Sequence, residues 1–441
     1  MWGTLRLGGI ANSEFRFLGY SHWQSLSKRT LNETVSSFFR CGIRNMHIGG
    51  CLGGQFDLGS SAPPPADVRL VAGDSTVTAT WTMAPNVEYW IFSAVADSIS
   101  TDNWARLLGA RATIAAVSPQ VISGLSNDIK YSFTINGRVD GGPGGPGSTS
   151  ISVVPRLAGA EWSVGKPLAN DLRGTVYGTF FVAVGAGGGI YSSPDFNSWT
   201  PVTWTPQTNP LATLPDLNAV TYATPGYLAA GAGGAMLLST DAITWTAQSS
   251  GTANSLYALA SNGSSLYVAA GANGTIINSV DGKTWTSANS GTSQDLFSLV
   301  YGNGTFVAVG ANGTLLTSTD GATWLSVAAN TSARLNGVTY GVNATTLVVT
   351  FVAVGEAGTL LTSNDGATWT LQSPIATSDL ASVTYGRLFV AAGDKGVILT
   401  STDGSTWQAR ASGTVNDLKS VGHSATNYSA VGKSGTNLSS I

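Results

Sequence analysis

From about residue 170 onward the chain alternates short apolar runs with small polar turns, and the same phrases return. In Phe306-Val307-Ala308-Val309-Gly310 a large residue, Ala and Gly share one side of an extended strand and two valines share the other. Both faces are apolar, so the strand has to be covered on both sides. Ala311-Asn312-Gly313 follows, then an apolar Leu315-Leu316. Asn and Gly tolerate positive φ, so the two runs predict a hairpin. A further strand is predicted upstream by the phrases that start at Asp216, Asp295, Arg334 and Asp379, each continuing Leu-x-x-apolar-x-Tyr. A fourth is predicted to start at the Trp that closes STDGATW, Ser318–Trp324.

This unit repeats. The closing tryptophans are Trp199, Trp245, Trp285, Trp324, Trp369 and Trp407, spaced by 46, 40, 39, 45 and 38 residues. Four-stranded sheets that are apolar on both faces and recur at a period of about 40 residues predict a β-propeller, each sheet covering the next. A seventh lead-in phrase begins at Asp417 and is followed by Tyr428–Ser440, which supplies three strands and no closing Trp. Upstream, Ala160–Val164 carries Trp162, 37 residues before Trp199, with no strands ahead of it. The two incomplete ends predict an all-β ring of seven blades in which the strand around Trp162 completes the C-terminal blade and hides its open edge.

The closing boxes, SVDGKTW at Ser279, STDGATW at Ser318, SNDGATW at Ser363 and STDGSTW at Ser401, with weaker forms ending at Trp199 and Trp245, resemble the Asp-box (BNR) repeats of sialidase-type propellers over roughly residues 157–441. They are one residue shorter than the usual box. Chemically, the carboxylate suits the hairpin N–H groups, the hydroxyl adds a bond and the Trp covers the turn. The resemblance implies an active face at the opposite end from the boxes. Sialidase chemistry needs three arginines for the substrate carboxylate. After residue 157 the arginines are Arg173, Arg334, Arg387 and Arg410, of which only Arg173 and Arg334 are predicted near that face. The triad cannot be built.

Residues 62–156 follow a different pattern. After Ala62-Pro63-Pro64-Pro65 come alternating strands, with Trp81 ending the second, then Glu88–Val95, then Leu125 six residues before Tyr131. This resembles a fibronectin type III sandwich, in which a core Trp is followed by a corner Tyr whose hydroxyl bonds back to the chain. The Gly141–Gly147 stretch is expected to be a loose final hairpin loop. The domain is read as a spacer. Residues 1–61 resemble neither domain and read as a leader and linker. They hold both cysteines, Cys41 and Cys51, and a basic excess. The string Ile48-Gly49-Gly50-Cys51 resembles a bacterial lipobox, which implies lipidation at Cys51, although Arg40, Arg44 and His47 stand where the apolar part of a signal peptide belongs.

Composition narrows the function. Charged residues make up 10% of the 441, with 21 Lys and Arg against 24 Asp and Glu. That argues against a nucleic-acid surface. No apolar run approaches the length of a membrane-spanning helix. With His at 3, no metal cluster or catalytic triad is legible, and no cofactor is expected. Candidate ligand residues are sought where the repeat breaks, on the face that carries the lead-in residues and the hairpins. The recurring Asp171, Asp216, Asp295, Asp379 and Asp417 read as loop caps, with Arg334 replacing Asp once. Two residues further on stand Arg173, Asn218, Tyr257, Phe297, Asn336, Ala381 and Lys419, and the later hairpins carry Glu356, Asp394, Lys395 and Lys433. Arg173, Tyr257, Phe297, Arg334, Glu356, Asp394, Lys395 and Lys433 are therefore the expected ligand contacts. The chain reads as a monomeric, secreted or surface-attached bacterial binding protein for a glycan or protein ligand. The alternatives are a glycoside hydrolase or lyase using Glu356 and Asp394, and an assembly scaffold such as some bacterial and photosystem-assembly propellers with similar repeats.

Overall fold

The computed structural model describes residues 59–193, 204–224, 226–342, 348–424 and 427–440. Cys41, Cys51, the leader up to residue 58 and the segment ending at Trp199 lie outside the described residues. The fold is all-β with repeated four-stranded antiparallel sheets. In the first, Leu172–Tyr177, Phe181–Gly185, Ile190–Ser193 and Thr205–Pro206 pair in chain order. Five more sheets repeat this order, with first strands Leu217–Ala223, Leu256–Ser261, Leu296–Gly302, Leu335–Val342 and Leu380–Tyr385. The seventh consists of Leu418–His423, Tyr428–Gly432, Asn437–Ser440 and, from 273 residues upstream, Ser163–Val164, with Leu438 opposite Val164 and Ser439 opposite Ser163.

The two apolar faces of the second strands explain why the sheets stack. Phe306, Val307, Ala308 and Val309 are all fully buried. Phe306 and Ala308 pack with Ala258, Val268 and Ala270 of the preceding sheet, whereas Val307 and Val309 pack with Val338, Phe351 and Ala353 of the following one. Burying one such side chain on each face contributes about 2–3 kcal/mol. Each first strand touches the next, and the seventh, Leu418–His423, touches the first, Leu172–Tyr177, where the Thr175 N–H donates to Ser420 Oγ at 3.1 Å. These first strands line the inside of a closed circuit.

Closure is made on the outside as well. Gly165 N donates to Asn437 O at 2.8 Å, Leu168 N to Gly435 O at 2.9 Å and Gly159 N to Ser440 Oγ at 2.8 Å. The Trp162 ring lies 6.5 Å from that of fully buried Tyr428, and its Nε1 donates to Gly159 O at 2.9 Å. Trp324, Trp369 and Trp407 each donate in the same way to the glycine three residues before them. Trp162 therefore repeats, at the upstream end, the contact that closes the boxes.

Ahead of the circuit, a three-stranded sheet of Ala66–Gly73, Thr76–Thr82 and Gln120–Ser123 packs on a five-stranded one of Ser60–Ala62, Tyr131–Val139, Glu88–Val95, Leu108–Ala116 and Ile151–Val153. Trp81, Tyr89, Ile91, Phe133 and Ile135 fill the core between them, with Trp81 edge-on to Tyr89 at 5.6 Å. The Tyr131 hydroxyl accepts from the Ser126 N–H at 3.1 Å, back along the chain. Two expectations are corrected. Strand pairing begins at Ser60, ahead of the prolines, because Ser60–Ala62 lies against Gly137–Val139. The glycine stretch is not a loose loop. Gly145 N donates to Gly137 O at 2.9 Å, and a side chain on Gly145 would meet Ala62 O at 1.8 Å, so glycines are needed for close backbone approach rather than slack.

This two-sheet unit also touches the circuit. Asp74, in the turn between the first two strands of the three-stranded sheet, is buried, and Arg387 of the sixth four-stranded sheet reaches it at 3.1 Å. Asn127 Nδ2 holds the same carboxylate at 2.8 Å. The unit is thus seated at the end of the circuit where the first-to-second strand turns lie.

Replacing Trp162 with Ala is expected to lower stability by about 2–3 kcal/mol. Hydrogen exchange should localise the loss to Tyr428–Ser440 rather than to the sheet that follows Trp162 in sequence. Uniform loss across all seven sheets would contradict closure by this strand.

Candidate functional site

At the start of every inner strand the pairing with the second strand skips one residue. The skips fall between Leu172 and Gly174, Leu217 and Ala219, Leu256 and Ala258, Leu296 and Ser298, Leu335 and Gly337, Leu380 and Ser382, and Leu418 and Ser420. A bulge leaves its extra residue out of the ladder and re-aims the side chain. The extra residues are Arg173, Asn218, Tyr257, Phe297, Asn336, Ala381 and Lys419, and all seven line one cavity of about 140 Å³ inside the circuit. The bulge also explains the glycine that ends each second strand. It presses the lead-in carbonyl against that glycine, so a Cβ on Gly310 would stand 2.0 Å from Asp295 O.

The lead-in carboxylates cap turns, but not their own. Asp216 Oδ1 accepts from Gly187 N at 2.8 Å, Asp295 from Asn273 N at 2.8 Å, Asp379 from Ala357 N at 2.9 Å and Asp417 from Lys395 N at 3.1 Å. Asp171 accepts from Ser434 N at 2.7 Å, across the closure. Each reaches the middle residue of the hairpin turn of the preceding sheet, a residue with φ between 49° and 59° at these five turns. At one further junction Ser255 Oγ accepts from Gly233 N at 3.4 Å. The lead-in side chains clasp one sheet to the next.

The cations on this face are largely engaged. Arg173 pairs with Asp216 at 2.7 Å and donates to Asn218 Oδ1 at 2.8 Å. Lys419 bonds Asp394 at 2.7 Å, and Lys433 bonds Asp417 at 2.7 Å. Lys433, followed by the Lys395 N–H, holds the Asp417 carboxyl down at about 2. Asn218 and Asn336 bridge onward, donating to Leu256 O and Leu380 O. The Tyr257 and Phe297 rings stand 5.7 Å apart, and the Arg334 guanidinium lies 5.4 Å from the Phe297 centroid. Glu356, in the turn of the fifth sheet, accepts from Arg334 N at 3.4 Å. Lys395 occupies a turn with φ 58° and is exposed. Of the eight expected contacts, Arg173 and Phe297 share the cavity lining with Tyr257, and Arg334 stands beside Phe297. Glu356, Asp394, Lys395 and Lys433 sit in hairpin turns above it.

Two larger depressions, of about 870 and 740 Å³, lie away from the cavity. One is lined by Ile375–Ser378, Lys395–Leu399 and Ala409–Asn416, the other by Leu211, Ala232–Met236 and Gln248–Ala253. They occupy equivalent places in different repeats, which marks them as products of the architecture. Among the described residues no three metal-ligating side chains converge.

The boxes lie at the other end of the sheets. Asp320 Oδ1 accepts from Ala322 N at 2.9 Å and Thr323 N at 2.7 Å, and Ser318 Oγ accepts from Gly321 N at 2.8 Å. Led by the N–H of the box Thr, these bonds hold Asp281, Asp320 and Asp365 at about 2. On the seventh inner strand, burial pushes His423 down to about 4, with Thr384 Oγ1 2.9 Å from its Nδ1.

No family model and no curated protein matches the sequence. Solved structures do match. YCF48 from Cyanidioschyzon merolae is similar at a TM-score of 0.51 and 17% identity, over 64% of this chain and 99% of that one. A structure described as YCF48 bound to D1 peptide is similar at 0.53 and 20%, over 66% and 99%. The likeness is one of fold, and the repeated four-stranded sheets are those of a β-propeller.

Acid should destabilise the protein in two steps. A group whose folded pKa is depressed stabilises the fold above its unfolded value and loses that effect as pH falls through the folded one. His423 is therefore expected to act between its ordinary 6.5 and about 4, and the box aspartates between 3.8 and about 2. Melting curves against pH should lose the upper step in His423→Gln and part of the lower in Asp320→Asn. An unchanged upper step in the first variant would overturn the assignment. Gly310→Ala is expected to cost about 2–4 kcal/mol, because the bulge leaves no room for a Cβ.

Proposed function

We propose that the chain is a binding protein: a seven-bladed β-propeller with boxes of the Asp-box type, carrying a fibronectin type III-like sandwich, that presents its bulge-bearing face to a segment of a protein partner. The observation that carries this reading is the ring of bulge residues around one cavity, where the repeat breaks into an aromatic pair, Tyr257 and Phe297, opposite the charged Arg173 and Lys419. Side chains released from the ladder can vary without removing a rung of the sheet, and function belongs where a repeat departs from its own pattern. The paired rings suit apolar or aromatic side chains of a polypeptide. A peptide occupies one of the structurally similar proteins by its description, which supports a polypeptide ligand here. The sandwich, seated at the far end through Asp74 and Arg387, leaves this face open. A surface location, with the partner outside the cell, is part of the same proposal.

The test is parallel screening of the full chain on peptide and glycan arrays. Peptide capture is expected, with a loss of at least about tenfold in the Tyr257→Ala/Phe297→Ala variant. Glycan capture alone would overturn the polypeptide reading. Turnover of a glycan that disappears in Glu356→Gln would favour a hydrolase instead.

A further inference from the structure

We propose that a carboxylate of the bound polypeptide docks between the fourth and fifth sheets, held by the Asn312 backbone N–H and the Arg334 guanidinium. This rests on the polypeptide reading of the same face.

The argument comes from the junctions themselves. Five times around the circuit, the N–H of the middle turn residue receives an aspartate oxygen from the next sheet at 2.7–3.1 Å, and once it receives a serine hydroxyl. Asn312 is the equivalent residue of the fourth sheet, with φ 53° like the others. The residue at the matching lead-in position is Arg334, of opposite charge. The junction is instead tied through the backbone, where Gly313 N donates to Ala333 O at 3.0 Å. The turn therefore keeps the backbone geometry that binds carboxylates elsewhere in this molecule, and among the described residues no carboxylate sits on it.

Arg334 supplies the second half. It is exposed, beside Phe297 and, among the described residues, pairs with no carboxylate, whereas Arg173, Lys419 and Lys433 each do. Glu356, the nearest acidic neighbour in the hydrogen-bond network, turns its carboxylate to the Arg334 backbone N–H rather than to the guanidinium. A guanidinium offers two parallel donors to a carboxylate, and the backbone N–H adds a third. Five junctions thus use an acid from within the chain, and this one is built to take it from a partner. The acid is either a side chain or a chain terminus, and the chemistry is the same.

The amide resonance of Asn312 in the full chain reads the site directly. The probes are acetyl-glutamate N-methylamide for a side-chain acid, acetyl-glycine for a terminal acid and acetyl-glutamine N-methylamide as the neutral control. One or both acids are expected to move the Asn312 resonance, and the stronger identifies the source. The response should weaken at least about tenfold in Arg334→Ala. Arg334→Asp should rebuild the internal clasp, so the melting temperature rises and the acids no longer act. The proposal is overturned if neither acid moves Asn312, if the neutral probe moves it equally, or if Arg334→Ala responds like the parent. Such a result alongside intact peptide capture at Tyr257 and Phe297 would remove this site and leave the binding reading standing.

Discussion

A strand that is apolar on both faces cannot sit at the surface of anything, and the second strand of every repeat is of this kind. Phe306 and Ala308 need one neighbouring sheet, and Val307 and Val309 need another. Each sheet therefore creates the demand that the next one meets, and the series ends only when the last sheet meets the first. Ser163–Val164 and the inner contact between Thr175 and Ser420 satisfy that condition from both sides of the circuit.

Covering the faces sets the spacing of the sheets, and the lead-in residues set their angle. Where the chain turns inward, a carboxylate grips the preceding turn and the next-but-one residue leaves the ladder. These are two consequences of one irregularity. The residue before the bulge stitches the ring, and the bulged residue projects into the cavity. Support and cavity lining lie two positions apart along the chain, which is why Asp295 is structural while Phe297 lines the cavity.

Much of the architecture was legible because two-faced apolarity, turn residues and a repeat near 40 residues are local signals. The pairing of Trp162 with the tail could be deduced because two partial repeats add up to one. What was not legible is non-local. Nothing in Leu172-Arg173-Gly174 announces a skipped register, so the seven cavity residues were found by counting along the repeat, without the bulge that aims them. The aspartates look like caps of their own loops, and only the packed structure shows that Asp295 reaches Asn273 and Asp171 reaches Ser434. The pairing of Arg173 and Lys419 was not legible either, because their partners, Asp216 and Asp394, belong to other repeats. The Gly141–Gly147 stretch misled for the same reason, since glycine serves slack and close contact alike.

The bulge has a consequence for how such a surface changes over time. A residue outside the ladder contributes no rung, so Tyr257 or Ala381 can be exchanged without removing a backbone pair, whereas Asn218, Asn336, Arg173 and Lys419 also tie neighbouring sheets together. The positions without such a tie form a short alphabet written around a fixed frame. The chemistry of the cavity wall can drift by single letters, with no new architecture.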